Sequence, residues 1–293
     1  MAEARRSDDG SCLVIKQGLT GELDLRIERR AGKDIATRQY HQGALRVLRP
    51  HYLDNTAQVC YTVVNPGGGY LGADRYRIGI EVGEQASLLL TTQSATKIYR
   101  TPQGEAQSQL NIELGAYAVL EYLPDQLIAY RDASYRQKTV VRMQDSSSLV
   151  LCEIITPGWS PDGQPFKYHR IRMRTEVYVD GNLMVLDNLL VEPQDQDVES
   201  LLYLQGFTHV GMLLAVDSRI ETTMVEGLRE DAYAVAAQQD EPVHVGISMT
   251  ATSGLSVRTL GTSTESASTV LLCIVNSLRQ RLRAQEPVEL RKY

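Results

Sequence analysis

Gly67, Gly69 and Gly72 lie within the run Asn65-Pro66-Gly67-Gly68-Gly69-Tyr70-Leu71-Gly72-Ala73-Asp74-Arg75, and the residues after this run restrict the folds open to the chain. The three glycines have the G-x-G-x-x-G spacing with which a dinucleotide-binding fold turns tightly and brings backbone against a pyrophosphate. That use requires a helix directly after the loop, so that its N-terminus faces the phosphates. Here Tyr76, Ile78, Ile80 and Val82 alternate instead with Arg75, Arg77, Gly79 and Glu81, the two-residue period of a half-buried strand. The acid that would hold a ribose about twenty residues further on is missing too, since the chain there reads Thr91-Thr92-Gln93-Ser94-Ala95-Thr96. No Lys-Ser or Lys-Thr comes after the glycines, which removes a Walker A loop. The glycines therefore join two strands.

Strand signals continue on both sides of the loop. Alternating or apolar segments cover 13–17, 21–29, 57–65, 74–82, 87–92, 107–114, 118–123, 134–143, 148–156, 167–179 and 183–191. Turns such as Asn65-Pro66-Gly67, Pro102-Gln103-Gly104 and Asp180-Gly181 separate them, glycine supplying positive φ and proline presetting φ. Such spacing favours a sandwich, barrel or β-helix-like stack over a βαβ fold. No fixed internal period is visible, so any stacking is expected to be irregular. Helices are expected late. Val270, Leu271, Ile274, Val275, Leu278 and Leu282 recur at helical spacing over 269–283, with Arg279, Arg281 and Arg283 in the last turns, where they suit the helix dipole. A second helix is expected at 219–237, interrupted by Gly227. The expected fold is thus mainly β: a many-stranded, irregular β-helix-like or stacked-sheet architecture with two α-helices in the C-terminal third. It is expected to form a single domain over 1–293, with 1–12 a flexible tail and the acidic stretch 192–197 a loop or a minor boundary that does not divide the domain.

Composition narrows function. With 43% hydrophobic and 23% charged residues the chain is globular, and a formal charge of -6 argues against nucleic acid as partner. The polar N-terminus lacks the apolar core of a signal peptide, and no apolar run is long enough to span a bilayer, so a cytoplasmic location is expected. Cys12, Cys60, Cys152 and Cys273 are scattered, which does not suggest a disulfide framework. The five histidines show no i,i+4 pair and no C-x-x-C companion, so a structural zinc site is not expected. No nucleophile elbow and no H-E-x-x-H occurs, and no tightly bound cofactor is expected.

The residues that invite a functional reading are acids on apolar strand faces. Glu153 shares a face with Leu149, Leu151 and Ile155, Asp187 with Leu183, Val185, Leu189 and Val191, and Glu121 with Val119 and Leu123. A charge on a buried face must be paired, hydrogen-bonded or hydrated. Each acid is therefore either ion-paired to an arginine or at a wet edge, or else the acids line a water-filled passage suited to a divalent cation. Glu176 joins them as a further candidate. Asp74 closes the glycine loop, where an aspartate commonly accepts local backbone N–H groups. Were Asp74, Glu153 and Asp187 to converge, they would instead resemble the acids of a β-helical carbohydrate-active enzyme. The 15 tyrosines suit half-wet surfaces, although strands favour aromatics in any case.

Four blocks occur in order over 43–126: Gly43-Ala44-Leu45-Arg46-Val47-Leu48-Arg49-Pro50, the glycine loop ending at Asp74, Thr91 to Thr96 running into Lys97-Ile98-Tyr99-Arg100, and Glu121-Tyr122-Leu123-Pro124-Asp125-Gln126. They resemble the UreD (UreH) family of urease accessory proteins, whose pattern is PLRVQRPF, PPGGxxGGD, TTxxATKxYR and EWLPQE. Ala73 stands where that pattern has its second glycine before the aspartate, and Tyr122 where it has tryptophan. Asp125 sits one place from the usual glutamate. The resemblance places the family's loop aspartate at Asp74. It implies a non-enzymatic scaffold that binds apo-urease and UreF, which recruits the GTPase UreG, and that helps deliver nickel in transit to the urease site. Asp74, Glu153, Asp187, Glu121 and Glu176 would then be the acids of that passage. A plain interaction scaffold with no metal passage is the alternative.

Overall fold

The computed structural model describes residues 18–201 and 203–290; the expected tail 1–12 and the strand expected at 13–17 lie outside them. In chain order the strands are β1 (Gly21–Arg30), β2 (Lys33–Gly43), β3 (Arg46–Val47), β4 (Val59–Val64), β5 (Arg75–Val82), β6 (Ser87–Thr92), β7 (Thr96–Ile98), β8 (Ala106–Leu114) and β9 (Val119–Leu123). They continue as β10 (Leu127–Ala129), β11 (Ser134–Met143), β12 (Ser148–Ile155), β13 (Arg170–Val179), β14 (Asn182–Val191), β15 (His209–Val216), β16 (Val243–Met249) and β17 (Gly254–Gly261). Helix α1 (Thr222–Ala236) precedes β16, and α2 (Thr264–Arg283) comes after β17.

From β4 to β13 the long strands pass alternately between two walls. The first sheet has the order β14-β13-β11-β8-β5-β1-β2; the second runs β16-β17-β15-β12-β9-β6-β4-β3, with β7 and β10 attached. Strands β1, β5, β8, β11 and β13 are parallel neighbours, as are β4, β6, β9 and β12. The result is a β-solenoid-like stack, the β-helix-like form expected.

Its register has a period that the sequence conceals. Val59 pairs with Leu88, Leu88 with Leu120 and Leu120 with Leu149. On the other wall Leu25, Ile80, Ile112, Val141 and Val177 form one column. Each rung crosses from the first wall to the second through a short turn of the same form, in which Ala86 donates to Gly83, Ala118 to Gly115 and Ser147 to Gln144. Two of these turns carry a left-handed residue, Gln85 at φ 59° and Tyr117 at φ 56°. Only a few turn positions and the inward alternation recur, too little to register as a repeat against variable side chains.

Strands β15, β16 and β17 end the stack with antiparallel pairing. Inward side chains of both walls make the first core, including Leu23, Ile80, Leu120, Tyr135 and Leu151. The outer face of the second wall makes another core with the helices, in which Leu89, Val150 and Leu213 meet Leu228, Leu271, Ile274 and Leu278. Helix α2 begins at Thr264, ahead of the expected start at 269, because Ser263 accepts the backbone N–H of Ser266 at 3.1 Å. Gly227 does not interrupt α1, and the tip of the Arg281 side chain of α2 occupies the space beside it. Strand β2 was not expected because it lies at the sheet edge with most of its side chains exposed, and so lacks an apolar alternation. The stretch 192–197, expected as a loop or a minor boundary, is a loop, and Val198 just beyond it returns to the first core.

Candidate functional site

The glycine loop packs against the segment after β6. A Cβ on Gly69 would meet the Lys97 carbonyl and the Tyr99 ring at 2.6 Å, and one on Gly72 would collide with the Gln103 side chain. The glycines thus serve close approach within the protein. Ala73 has φ 62°, which explains why a glycine suits this position in the family pattern. Asp74 is held in the turn: it accepts the Leu71 N–H at 2.7 Å, the Thr20 hydroxyl at 3.0 Å and the Tyr76 hydroxyl at 3.4 Å.

From this loop a polar seam runs through the first core along the axis of the stack. Tyr76, Ser108 and Gln137 occupy one inward column on successive rungs. Tyr70 stacks on Tyr76 with ring centroids 3.8 Å apart and meets Tyr135 edge-on at 5.8 Å. Tyr135 donates its hydroxyl to Gln137 at 2.9 Å, and Gln137 donates its amide to Glu153. Burial, with the nearby Asp74 charge, pushes the Tyr76 phenol up to about 12, and burial first of all raises Tyr70, Tyr122 and Tyr135. A small cavity of about 60 Å³ lies between the glycine loop, Thr92, Lys97 and Tyr122.

At the far end, Thr139, Thr175 and Asp187 form the next inward column of the first wall. Asp187 pairs with Arg258 of the second wall at 2.6 Å, beside a surface pocket of about 260 Å³. Desolvation pushes Glu153 up to about 7; Gln137 opposes this, Asp187 adds to it and Arg258 again opposes it. A carboxylate is therefore held in the interior near the point of protonation at neutral pH, with a second carboxylate close by. Among the described residues no three of His, Cys, Asp and Glu gather as a metal-holding group.

Of the acids singled out in the sequence, the structure brings together Glu153 and Asp187, with Asp74 at the opposite end of the seam. Glu121 points to the other face of its sheet, into the helix layer. It is fully buried and ion-paired to Arg279 and Arg283 of α2. Glu176 points outward from the first wall, with Arg174 at 2.7 Å and Lys138 at 3.5 Å. Neither lies on the seam, because strand alternation sends both away from the first core. The Asp187 face also needs correction: a bulge pairs Val177 with Val185 but Tyr178 with Leu183, so Leu183 turns outward and is 48% exposed. Arg100 pairs with Asp132 at 3.2 Å and not with any of these acids. Sequence reasoning missed the linking residues Tyr70, Tyr135, Gln137 and Arg258. A polar Gln137 between inward Tyr135 and Thr139 was the available signal. It also missed Asp34, a fully buried acid that burial pushes up to about 6, with Arg29 at 3.5 Å.

The sequence profile of the UreD urease accessory protein family matches residues 19–292. The chain belongs to the UreD family. Relatives match over nearly their whole lengths. The urease accessory protein UreD of Arthrobacter sp. (strain FB24) is 50% identical, over 96% of this chain and 97% of its own. That of Actinomyces naeslundii is 44% identical over 94% and 99%, and that of Bacillus cereus (strain ATCC 10987 / NRS 248) 34% over 94% and 98%. Membership makes the chain a urease accessory protein. No described helix is long and apolar enough to cross a membrane.

Proposed function

We propose that this UreD-family chain is a non-enzymatic cytoplasmic scaffold that binds apo-urease and UreF and passes nickel, brought by UreG, toward the urease site along the polar seam. Nickel is cargo here and not a resident cofactor. The observation that carries the reading is the seam itself, in which Tyr76, Ser108 and Gln137 on successive rungs lead from Asp74 to Glu153, a carboxyl that burial pushes up to about 7 and that feels the Asp187 charge. Near neutral pH such a group exchanges a proton for a cation with little bias either way, and the Asp187 charge favours the cation. A divalent ion needs several ligands to be retained, so two acids and flanking hydroxyls suit transfer better than storage. The passage in this form uses Glu153 and Asp187, with Asp74 and Tyr76 at the loop end. Glu121 and Glu176 have no part in it. The enzymatic alternative requires all three acids to converge, whereas Asp74 is engaged by the turn at the opposite end of the seam from Glu153 and Asp187.

The test is urease maturation with Glu153→Gln and Asp187→Asn chains, scored for recovery of the assembled complex and for nickel content of the urease. The reading expects normal assembly with reduced nickel. Wild-type nickel loading in both variants would sink it.

A further inference from the structure

The outer face of the first wall carries a cationic field that its own fold does not explain. Arg136, Lys138 and Arg142 point outward from β11, and Arg170, Arg172 and Arg174 from β13. The parallel register sets Arg136 beside Arg172 and Lys138 beside Arg174. Strands lie roughly 4.8 Å apart, and like charges directly opposite one another on neighbouring strands destabilise a sheet. Four carboxylates are interleaved with these six cations: Glu105, Glu192, Glu176 and Glu113, the last set beside Arg142 by the register of β8 and β11 though not within ion-pair distance of it. Glu105 serves Arg136 at 2.9 Å and Arg170 at 3.7 Å, Glu192 serves Arg170 at 3.6 Å, and Glu176 serves Arg174 and Lys138. Arg172 has only the Asn188 amide oxygen at 3.4 Å, and Arg142 lies over the Tyr178 ring at 5.7 Å. Among the described residues neither faces a carboxylate within ion-pair distance.

The other half of the same face is balanced. There Arg77 meets Glu22 and Asp24, Arg26 meets Glu28 and Glu81, and Arg38 meets Asp24 at 3.6 Å. A second copy of this chain therefore offers no acidic stripe on this face to meet the surplus. A chain of net charge -6 repels extended polyanions, and the interleaved carboxylates break the field into a mixed surface. Beyond β13 the edge strand β14 adds exposed Leu183 and Leu186, at 48% and 53%, so charge and apolar area adjoin.

The geometry points to the outer face of β11, β13 and β14 as the docking surface for a carboxylate-bearing face of a protein partner, whose acids pair with Arg172 and Arg142 while its apolar groups cover Leu183 and Leu186. The assignment rests on the maturation reading only for the choice of partners to be tried, apo-urease and UreF. The cross-strand repulsion is stored in the free chain and relieved on binding.

Arg172→Glu separates this from a structural role. A glutamate there would sit beside Arg136 and form an ion pair in place of a like-charge contact, so the melting temperature of the full chain should hold or rise. Binding of one of the two partners should weaken by about tenfold or more, and its salt dependence should flatten. Arg142→Gln, chosen because Glu113 stands beside Arg142 in the register, should weaken binding in the same direction by a smaller factor. Wild-type affinity for both partners in both variants would overturn the surface. So would loss of binding together with a lower melting temperature, which would assign the arginines to the fold. Charge-dependent retention of the wild-type chain, but not of Arg172→Glu, on phosphatidylserine vesicles would replace the protein partner with a membrane and overturn it as well. A wild-type chain that binds neither apo-urease nor UreF would sink the maturation reading itself, a result distinct from a variant effect.

Discussion

Glu121 and Glu153 project from opposite faces of the same sheet, and the two faces treat a buried carboxylate in opposite ways. Glu121, on β9, meets the helix layer. Arg279 bridges it to Asp54 at 3.0 Å, donates to Gln58 at 2.9 Å and reaches the Glu286 carbonyl at 2.9 Å, while Arg283 takes the second carboxylate oxygen. Every charge there is answered, and the cluster ties α2 and the chain after it to the sheet. Glu153, on β12, faces the core between the walls. Its nearest support is a neutral amide, and the closest other acid works against its charge. The contrast separates two uses of a buried acid: full pairing fixes geometry, whereas a group left near its protonation point is available for exchange.

The largest effect should come from the paired side. Glu121→Gln leaves Arg279 and Arg283 buried with one counter-charge fewer, and unfolding in urea should show a loss of about 3–5 kcal/mol. Near-wild-type stability would break the comparison, because Glu121 would then be no more essential to the fold than Glu153.

Glu153→Gln should do the reverse. The folded carboxyl is raised above its unfolded value, so the native state holds the proton more tightly and stability falls as pH rises from the ordinary carboxylate range to about 7, then levels off. The amide removes this slope. At pH 8 the variant should be more stable than wild type by about 1–3 kcal/mol, a range discounted because the residue is partly accessible. Thermal melts between pH 4.5 and 8 check the sign, and an unchanged slope would show that Glu153 is not the titrating group.

Asp187→Asn sharpens the same point. It removes the acid that raises Glu153 and frees Arg258, which lowers it, so the pH midpoint should move down. The pair is only half-buried, and the stability change itself should stay within about 1 kcal/mol. Asp74→Asn should be smallest. Thr20 and Leu71 donate to different carboxylate oxygens, so the amide oxygen keeps the Leu71 N–H while the new NH2 can donate to the Thr20 hydroxyl, and a loss of about 1 kcal/mol or less is expected. A larger loss would make the loop acid a third case, paired as firmly as Glu121.

Much of this molecule was legible from local pattern. Alternation located most of the strands, helical spacing located both helices, and the strand after Asp74 removed the nucleotide-binding reading of the glycines. The four blocks over 43–126 pointed to the family. That Glu121, Glu153 and Asp187 sit on apolar faces was legible as well, because alternation within a strand is a local property. Which apolar face each one joined was not. A strand in the second wall has two buried faces, and the sequence marks both with leucine and valine; only the docking of α2 on one and of the opposite wall on the other sent Glu121 to two arginines and Glu153 to Gln137 and Asp187. Partners such as Arg279, Arg258 and Gln137 are distant in the chain and become neighbours only when the rungs stack. The sequence by itself determined both helices, most of the strands up to β14, their amphipathic faces and the family, since these depend on residues a few positions apart. The tertiary structure decided the charge partners, the seam and the cationic outer face, since these depend on register between strands that no local spacing encodes.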